Sequence, residues 1–385
     1  LAYSALSIDT NILYRHGFDF EHGLVGQLAR FAGSPTPFLL TDVVRREFLK
    51  HVREQTDKTH ESLSNAARKA LKQGLIRAGG ESAVQACLEQ LVDPQAAALS
   101  QVDRFIAMTA AAPVEDTMAS TKDLMTLYFD GSPPFEAVGD KKAEFPDAVA
   151  LLALEAWGRS NGKVLVVSRD AGWAKFAAAS DFLDVVGNLG DALATIQQQE
   201  EVEATPKAIL AVSDILTRMA DGRLPGLSAQ FDDALNTRLQ ELDLYPEGAS
   251  TSDVEGELVE VVVDEQELVA QEDGGYAVKL VRLEPGRTVF TVPVRAELTV
   301  TASFTFYRWI WNDGHSPRGR QRVMRALSVD DEIMVTLRGR LDEPDALEVV
   351  DLELANPPSE VDFGEIELDD DELDRRRAAL YTIID

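Results

Sequence analysis

The spacing of apolar positions changes along this chain after Gly256, and separates two kinds of structure. In the first half, short runs that are apolar at nearly every position alternate with longer stretches whose apolar residues recur every three or four positions. Residues 3–8, 38–40, 163–170 and 184–186 are of the first kind and are predicted as buried strands. Thr41 or Asp42 is placed to cap a helix that opens Val-Val-Arg-Arg-Glu-Phe and continues through residues 60–75. Helices are also predicted over 81–112, 120–128 and 173–179. Asp130-Gly-Ser-Pro-Pro is a break. Phe145-Pro-Asp then starts a helix whose apolar positions are Val149, Leu152, Leu154 and Trp157, running to Gly158 and Gly162. Strands alternating with helices predict an α/β domain, a parallel sheet with helices on both faces.

Residues 191–250 read as helical and polar, with breaks at Pro206, Pro225 and Pro246. After Gly256 the period becomes two, over 257–263, 276–283, 288–292, 295–311, 332–341 and 347–354. Without crossover helices these strands predict an antiparallel β-rich domain, a sandwich or barrel. The expected division is an α/β domain over 1–190 with a helical insertion at about 52–130, a helical linker over 191–250, a β domain over 251–357 and an acidic tail over 358–385. No internal repeat is visible.

Charge sharpens this division. The net charge is −29. Residues 1–190 hold 19 Lys and Arg against 24 Asp and Glu, and residues 191–385 hold 18 against 42. The second half therefore repels polyanions over most of its surface. A single cysteine, Cys87, excludes an internal disulfide and a cysteine-rich zinc site and suits a reducing cytoplasm. No stretch reaches the roughly 18 consecutive apolar residues of a spanning helix, so no membrane partner is expected. The opening residues read as strand one, not as a signal peptide. Without an initiator Met, a few residues upstream are expected to be missing.

Four acidic segments carry the chemistry. They are Ser-Ile-Asp-Thr-Asn at Asp9, Val-Val-Arg-Arg-Glu-Phe at Glu47, Glu-Phe-Pro-Asp-Ala at Asp147 and Ser-Arg-Asp-Ala-Gly-Trp at Asp170. Two of these acids follow predicted strands and two lie in the first turns of predicted helices. In an open α/β sheet those positions share one edge, where ligands bind. Four carboxylates at one edge repel, which implies a compensating cation, and hard oxygen donors favour Mg²⁺ or Mn²⁺. Each acid also has a purely structural reading: Asp9 and Asp147 as helix N-terminal residues, Asp170 as a turn residue, Glu47 as a solvated helix acid.

The order and placement of these segments resemble the PIN domain over about residues 1–190. The stretch Lys141-Lys142-Ala-Glu-Phe-Pro-Asp-Ala-Val followed by Val-Ser-Arg-Asp-Ala-Gly-Trp looks most like its bacterial PIN-like branch, domain of unknown function 4935. The resemblance implies metal-dependent phosphodiester cleavage, usually of RNA, with Asp9, Glu47, Asp147 and Asp170 as metal-binding acids. Asn11 would orient Asp9 or the substrate, Ser168 would support similarly, and Glu144 would complete a second metal site. The long helical insertion between Glu47 and Asp147 departs from small PIN toxins. The residue types suit the chemistry, because divalent ions can activate water, neutralise the phosphate and stabilise the leaving oxygen. The five histidines show no metal-ligand spacing such as H-E-x-x-H, and no Walker sequence appears.

Weaker features concern the substrate. Arg45, Arg46, Lys50, Arg53 and Lys58 make one helix basic, with Arg68, Lys69 and Lys72 further on. Arg46, Lys141 and Lys142 are candidates for the substrate phosphate. Tyr307, Trp309 and Trp311 precede a segment with His315, Arg318, Arg320, Arg322 and Arg325, read as a loop that binds nucleic acid or the acidic tail, with sheet core as the reading for the aromatics. The expected protein is a cytoplasmic bacterial endoribonuclease acting on RNA or single-stranded DNA, in a toxin or defence setting, with a homo-oligomer or regulatory partner left open. The alternatives are a structure-specific DNA nuclease and a non-catalytic interaction protein on the same scaffold.

Overall fold

The computed structural model describes residues 2–15, 20–77, 79–135, 144–272, 274–310 and 314–368. The chain separates into two compact units, Leu1–Val202 and Glu203–Asp385.

The first unit is built on five parallel strands. They are β1 (Ala5–Ile8), β2 (Phe38–Thr41), β3 (Ala112–Val114), β4 (Val164–Val167) and β5 (Leu183–Val186), in the order β3-β2-β1-β4-β5. β1, β2 and β4 are buried at every position, as expected of strands covered on both faces. The connections carry α1 (Thr10–Arg15), α2 (Gly23–Gly26), α3 (Asp42–Lys72), α4 (Glu81–Glu89), α5 (Pro94–Thr109), α6 (Thr121–Asp130), α7 (Phe145–Asn161), α8 (Ala171–Ala178) and α9 (Leu189–Glu200). Thr41 caps α3, its Oγ1 accepting from Val44 N–H at 3.2 Å. The predicted helix over 81–112 is broken at Asp93-Pro94, where Asp93 caps α5, and ends at Ala110 in a left-handed conformation. It gives way to β3, whose Pro113 is tolerated because β3 is an edge strand. Gly162 closes α7 at φ +110°, where a Cβ would stand 2.2 Å from Ser4 Oγ. The strand order reverses between β1 and β4, and this switch point is where an open sheet forms its crevice.

The second unit is antiparallel and β-rich. β7 (Asp253–Leu268), β9 (Arg287–Ile310), β10 (Gly314–Arg338) and β11 (Glu348–Leu354) lie in the order β11-β10-β9-β7, with β8 (Lys279–Glu284) also pairing β9. The segment read as a linker falls on both sides of the unit division. Its later part forms α10 (Ala204–Ala220) and α11 (Pro225–Gln240), whose Val212, Ile215, Phe231 and Leu235 share a core with Val294, Leu298 and Phe304 of β9. Along β9 the even positions 292–306 are buried and the odd ones mostly are not, so the sheet has one apolar face. That face is covered by α10, α11 and a two-stranded parallel sheet of β6 (Tyr245–Ala249) and β12 (Glu360–Glu365), in place of a sandwich partner among the described residues.

Three expectations for this unit change. β9 runs through Pro293 unbroken. The Pro293 carbonyl accepts from Val269 N–H at 3.0 Å, so its edge faces the gap where pairing passes from β8 to β7 and its missing N–H forfeits no ladder bond. The arginine-rich segment is strand β10, not a loop. Arg318, Arg320 and Arg322 face solvent and alternate with the half-buried Gly319, Gln321 and Val323. The acidic tail begins as a strand, with Val361 and Phe363 buried in β12. Its residues beyond 368, Trp311, and the side chains of Trp309 and His315 lie outside the described residues.

Candidate active site

Asp9 is the first residue beyond β1, and its N–H donates to the Val167 carbonyl at 2.8 Å, which locks the end of β1 to the end of β4. Ser168 is the first residue beyond β4. Its hydroxyl donates to Asp9 Oδ2 at 2.6 Å and accepts from Asp170 N–H at 3.0 Å. Asn11 Nδ2 donates to the same Asp9 oxygen at 2.6 Å. Asp9 is buried, and burial pushes its carboxyl up to about 6. Hydrogen bonds from Ser168 and from the Asn11 and Thr10 backbone pull it back, and the negative charge of Asp170 raises it further.

Asp147 lies in the first turn of α7, one residue after Pro146, and accepts from Trp173 Nε1 at 3.0 Å. Its carboxyl is pushed up to about 7, first by burial. The indole N–H opposes the rise, and the charges of Asp9, Glu47 and Asp170 add to it. Asp170 is the N-cap of α8, its Oδ1 accepting from Gly172 N–H at 2.6 Å and Trp173 N–H at 3.2 Å. The structural reading of Asp170 as a turn residue is thus realised on one oxygen. Glu47, in the second turn of α3, accepts at Oε2 from Thr10 Oγ1 at 2.9 Å. Four acids far apart in sequence are therefore drawn to one edge, where they act electrically on one another. Trp173 joins two of them, since its backbone holds Asp170 and its side chain holds Asp147.

Glu144 stands at the N-cap position of α7 without a capping hydrogen bond from its side chain. Lys141 and Lys142 lie outside the described residues. Arg46, largely exposed, pairs with Asp116 at 3.2 Å. Asp116 follows β3 at the same sheet edge and was missed in the sequence because β3 itself was missed. The roles of Trp173 and Thr10 have no sequence signal beyond adjacency to the acids. Elsewhere on the basic helix, Arg45 lies 4.0 Å from Asp42 and Lys50 3.9 Å from Glu54.

The donors at this edge are hard oxygens. Among the described residues no three Asp, Glu, His or Cys side chains are gathered tightly enough to hold an ion by themselves. A buried oxygen, Asn11 Oδ1, has no hydrogen-bond partner although the other end of the same amide holds Asp9. An orphan acceptor beside a raised carboxylate fits a cation or its bound water.

The arrangement defines a doubly wound α/β domain with carboxylates at its switch point. Residues 6–173 match the family model described as PIN domain, which supports a likeness of this part of the chain to the PIN-domain nucleases. PIN domains are in general metal-dependent nucleases acting on nucleic acids. The match does not single out the bacterial branch. No curated protein and no solved structure matches the chain. Among the described residues no helix is long and apolar enough to cross a membrane.

Proposed function

We propose that the first unit is an endoribonuclease dependent on Mg²⁺ or Mn²⁺, with Asp9, Glu47, Asp147 and Asp170 as its metal-binding carboxylates. The observation that supports this is the raised carboxyl of Asp147, on which three other acids act. Such mutual repulsion costs stability in the free protein and is relieved by a cation. Asn11 and Ser168 would hold Asp9 by one oxygen and so fix its orientation. Trp173 would do the same for Asp147, and Thr10 for Glu47. Partners of this kind orient metal ligands and tune their affinity. A divalent ion at this edge would supply an activated water and neutralise the phosphate. Because Asp9 and Asp147 titrate near 6 and 7 in the free protein, cation binding must displace protons from them, and affinity should rise between pH 5 and 8. The preference for RNA rests on the family resemblance.

A cleavage panel tests this reading: single-stranded RNA, single-stranded DNA and branched DNA, each with Mg²⁺, Mn²⁺ or EDTA. Cleavage of RNA that EDTA abolishes is the expected result. Preference for branched DNA would move the assignment to a structure-specific DNA nuclease. No cleavage together with no Mn²⁺ binding would make the unit a non-catalytic scaffold.

A further inference from the structure

Both ends of α6 are held at the edge that carries the acids. The helix starts just after the turn Asp116–Met118, which follows β3 at that edge, and Ser120 caps it by accepting from Asp123 N–H at 3.3 Å. Its last turn is tied to the helices that present Asp147 and Asp170. The Tyr128 ring packs on Phe145, the first residue of α7, at 4.9 Å and on Phe135 at 5.5 Å. Beyond the left-handed Gly131, Pro134 lies against the first turn of α8, where a Cβ on Gly172 would stand 3.3 Å from the Pro134 carbonyl oxygen. Lys122, Met125, Thr126 and Phe129, three and four positions apart, form an exposed face of α6. Phe129 is 75% exposed. A lone exposed apolar side chain is ordinary. This one is a whole aromatic ring at the rim of the acids, one turn beyond the exposed Met125 and on the same face as a lysine.

We propose that Phe129 is a stacking platform for an unpaired nucleobase of the substrate strand, and that Lys122 holds a phosphate of the same strand. The inference rests on the nuclease reading and adds a substrate class to it: a strand that is unpaired beside the acids. Among the described residues Phe129 has one ring contact, with Tyr128 at 5.4 Å and 69°, edge to face. In that geometry Tyr128 meets either an edge of the phenylalanine ring or one of its faces, so at least one face stays open, as the exposure of 75% requires. Tyr128 is itself packed between Phe135 and Phe145. It is a fixed wall that limits the motion of Phe129 before a base arrives, which lowers the entropy lost on binding. Lys122 makes no ion pair among the described residues. It stands about 10 Å before Phe129 along the helix axis, with its charge directed at no acid of the fold. Asp123 and Asp130 occupy the neighbouring stripe, about 100° round the helix. Stacking offers every base a π-face, so the platform selects single strands and tolerates sequence. A base inside a duplex is already stacked and must be unpaired before it can reach the ring.

The test uses the full chain with Mn²⁺ and a short single-stranded oligoribonucleotide of fixed sequence. A second set of substrates carries one abasic nucleotide, moved position by position past the cleaved linkage. Base–aromatic stacking of about 1–3 kcal/mol corresponds to about 5- to 150-fold in kcat/KM. Phe129→Ala should lose that factor, and Phe129→Trp should recover it, since any aromatic face serves. One abasic position should cost the wild type a similar factor and cost Phe129→Ala nothing. Lys122→Ala should reduce the slope of log kcat/KM against log salt by about 0.7, the share of one phosphate on a single strand. Mn²⁺ affinity by calorimetry and the melting temperature should be equal in all these proteins, because the replaced side chains are exposed. An unchanged kcat/KM in Phe129→Ala, or equal abasic penalties with and without the ring, would overturn the platform while leaving the nuclease reading intact. So would a fall in mass by light scattering on Phe129→Ala with cleavage unchanged, which would make this face a contact between copies of the chain. A wild type that cleaves no substrate would overturn both.

Discussion

Replacing Asp147 by Asn tests the electrostatic basis of the site without using catalysis. The asparagine keeps an oxygen to accept from Trp173 Nε1 but cannot ionise. In the folded protein the Asp147 carboxyl is raised from 3.8 to about 7. A carboxyl raised on folding binds its proton more tightly in the native state. Stability is therefore fully present below about pH 4 and is lost as pH rises through 7. At about 1.4 kcal/mol per pH unit, the ionised wild type carries at pH 8 a penalty of up to about 4 kcal/mol. Partial exposure of the carboxyl and the new amide's need for its own acceptor reduce the gain to about 2–3 kcal/mol. For a unit of this size that is roughly 5–10 °C in melting temperature. The assay is thermal unfolding of both proteins in EDTA at pH 4.5 and pH 8. Asp147→Asn should melt higher at pH 8 and nearly equal at pH 4.5. Saturating Mn²⁺ should then raise the wild type by more than the variant, since only binding to the native state contributes. A variant less stable at pH 8, or one with the same difference at both pH values, would refute the reasoning and favour Asp147 as a helix-terminal residue alone.

Trp173→Phe keeps the buried ring but removes the indole donor to Asp147; Mn²⁺ affinity by calorimetry should fall about tenfold, and more at pH 6 than at pH 8, because the bond that lowers the Asp147 carboxyl is gone. Gly162→Ala puts a Cβ 2.2 Å from Ser4 Oγ at φ +110° and should destabilise the first unit by about 2–4 kcal/mol in urea unfolding. Gly256→Ala places its Cβ 2.7 Å from the Pro246 carbonyl oxygen, and should destabilise the second unit by about 1–3 kcal/mol while Mn²⁺ binding by the first is unchanged.

The placement of Asp9, Asp147 and Asp170 was legible because each sits next to a boundary between apolar periods, and a parallel sheet turns such boundaries into neighbours; Glu47, expected in the first turn of its helix, lies in the second. What joins them was not. The indole of Trp173 and the hydroxyl of Thr10 reach their partners through tertiary packing, and neither residue type in isolation announces a carboxylate partner. β3 escaped notice because three residues with a central proline carry no period, and Asp116 escaped with it. In the β-rich unit the exposed face of β10 bears arginines, so half of that strand's alternation looks like loop. Two strands were expected over 288–292 and 295–311, where β9 runs unbroken because Pro293 lies at the change of pairing partner.

The parallel pairing of β6 with β12 sets an order on synthesis. Residues 245–249 cannot complete their small sheet until residues 360–365 exist, and between them lies nearly all of the antiparallel sheet. Contacts of such long sequence separation form slowly. The first unit waits for nothing beyond α9, so it can finish folding while the ribosome is still translating the rest. The first unit thus matures early, whereas the β-rich unit leaves β6 unpaired and the core face near Phe304 uncovered until residue 365 has emerged. Chains stalled or cleaved before that point would carry a finished first unit beside a second unit prone to aggregate.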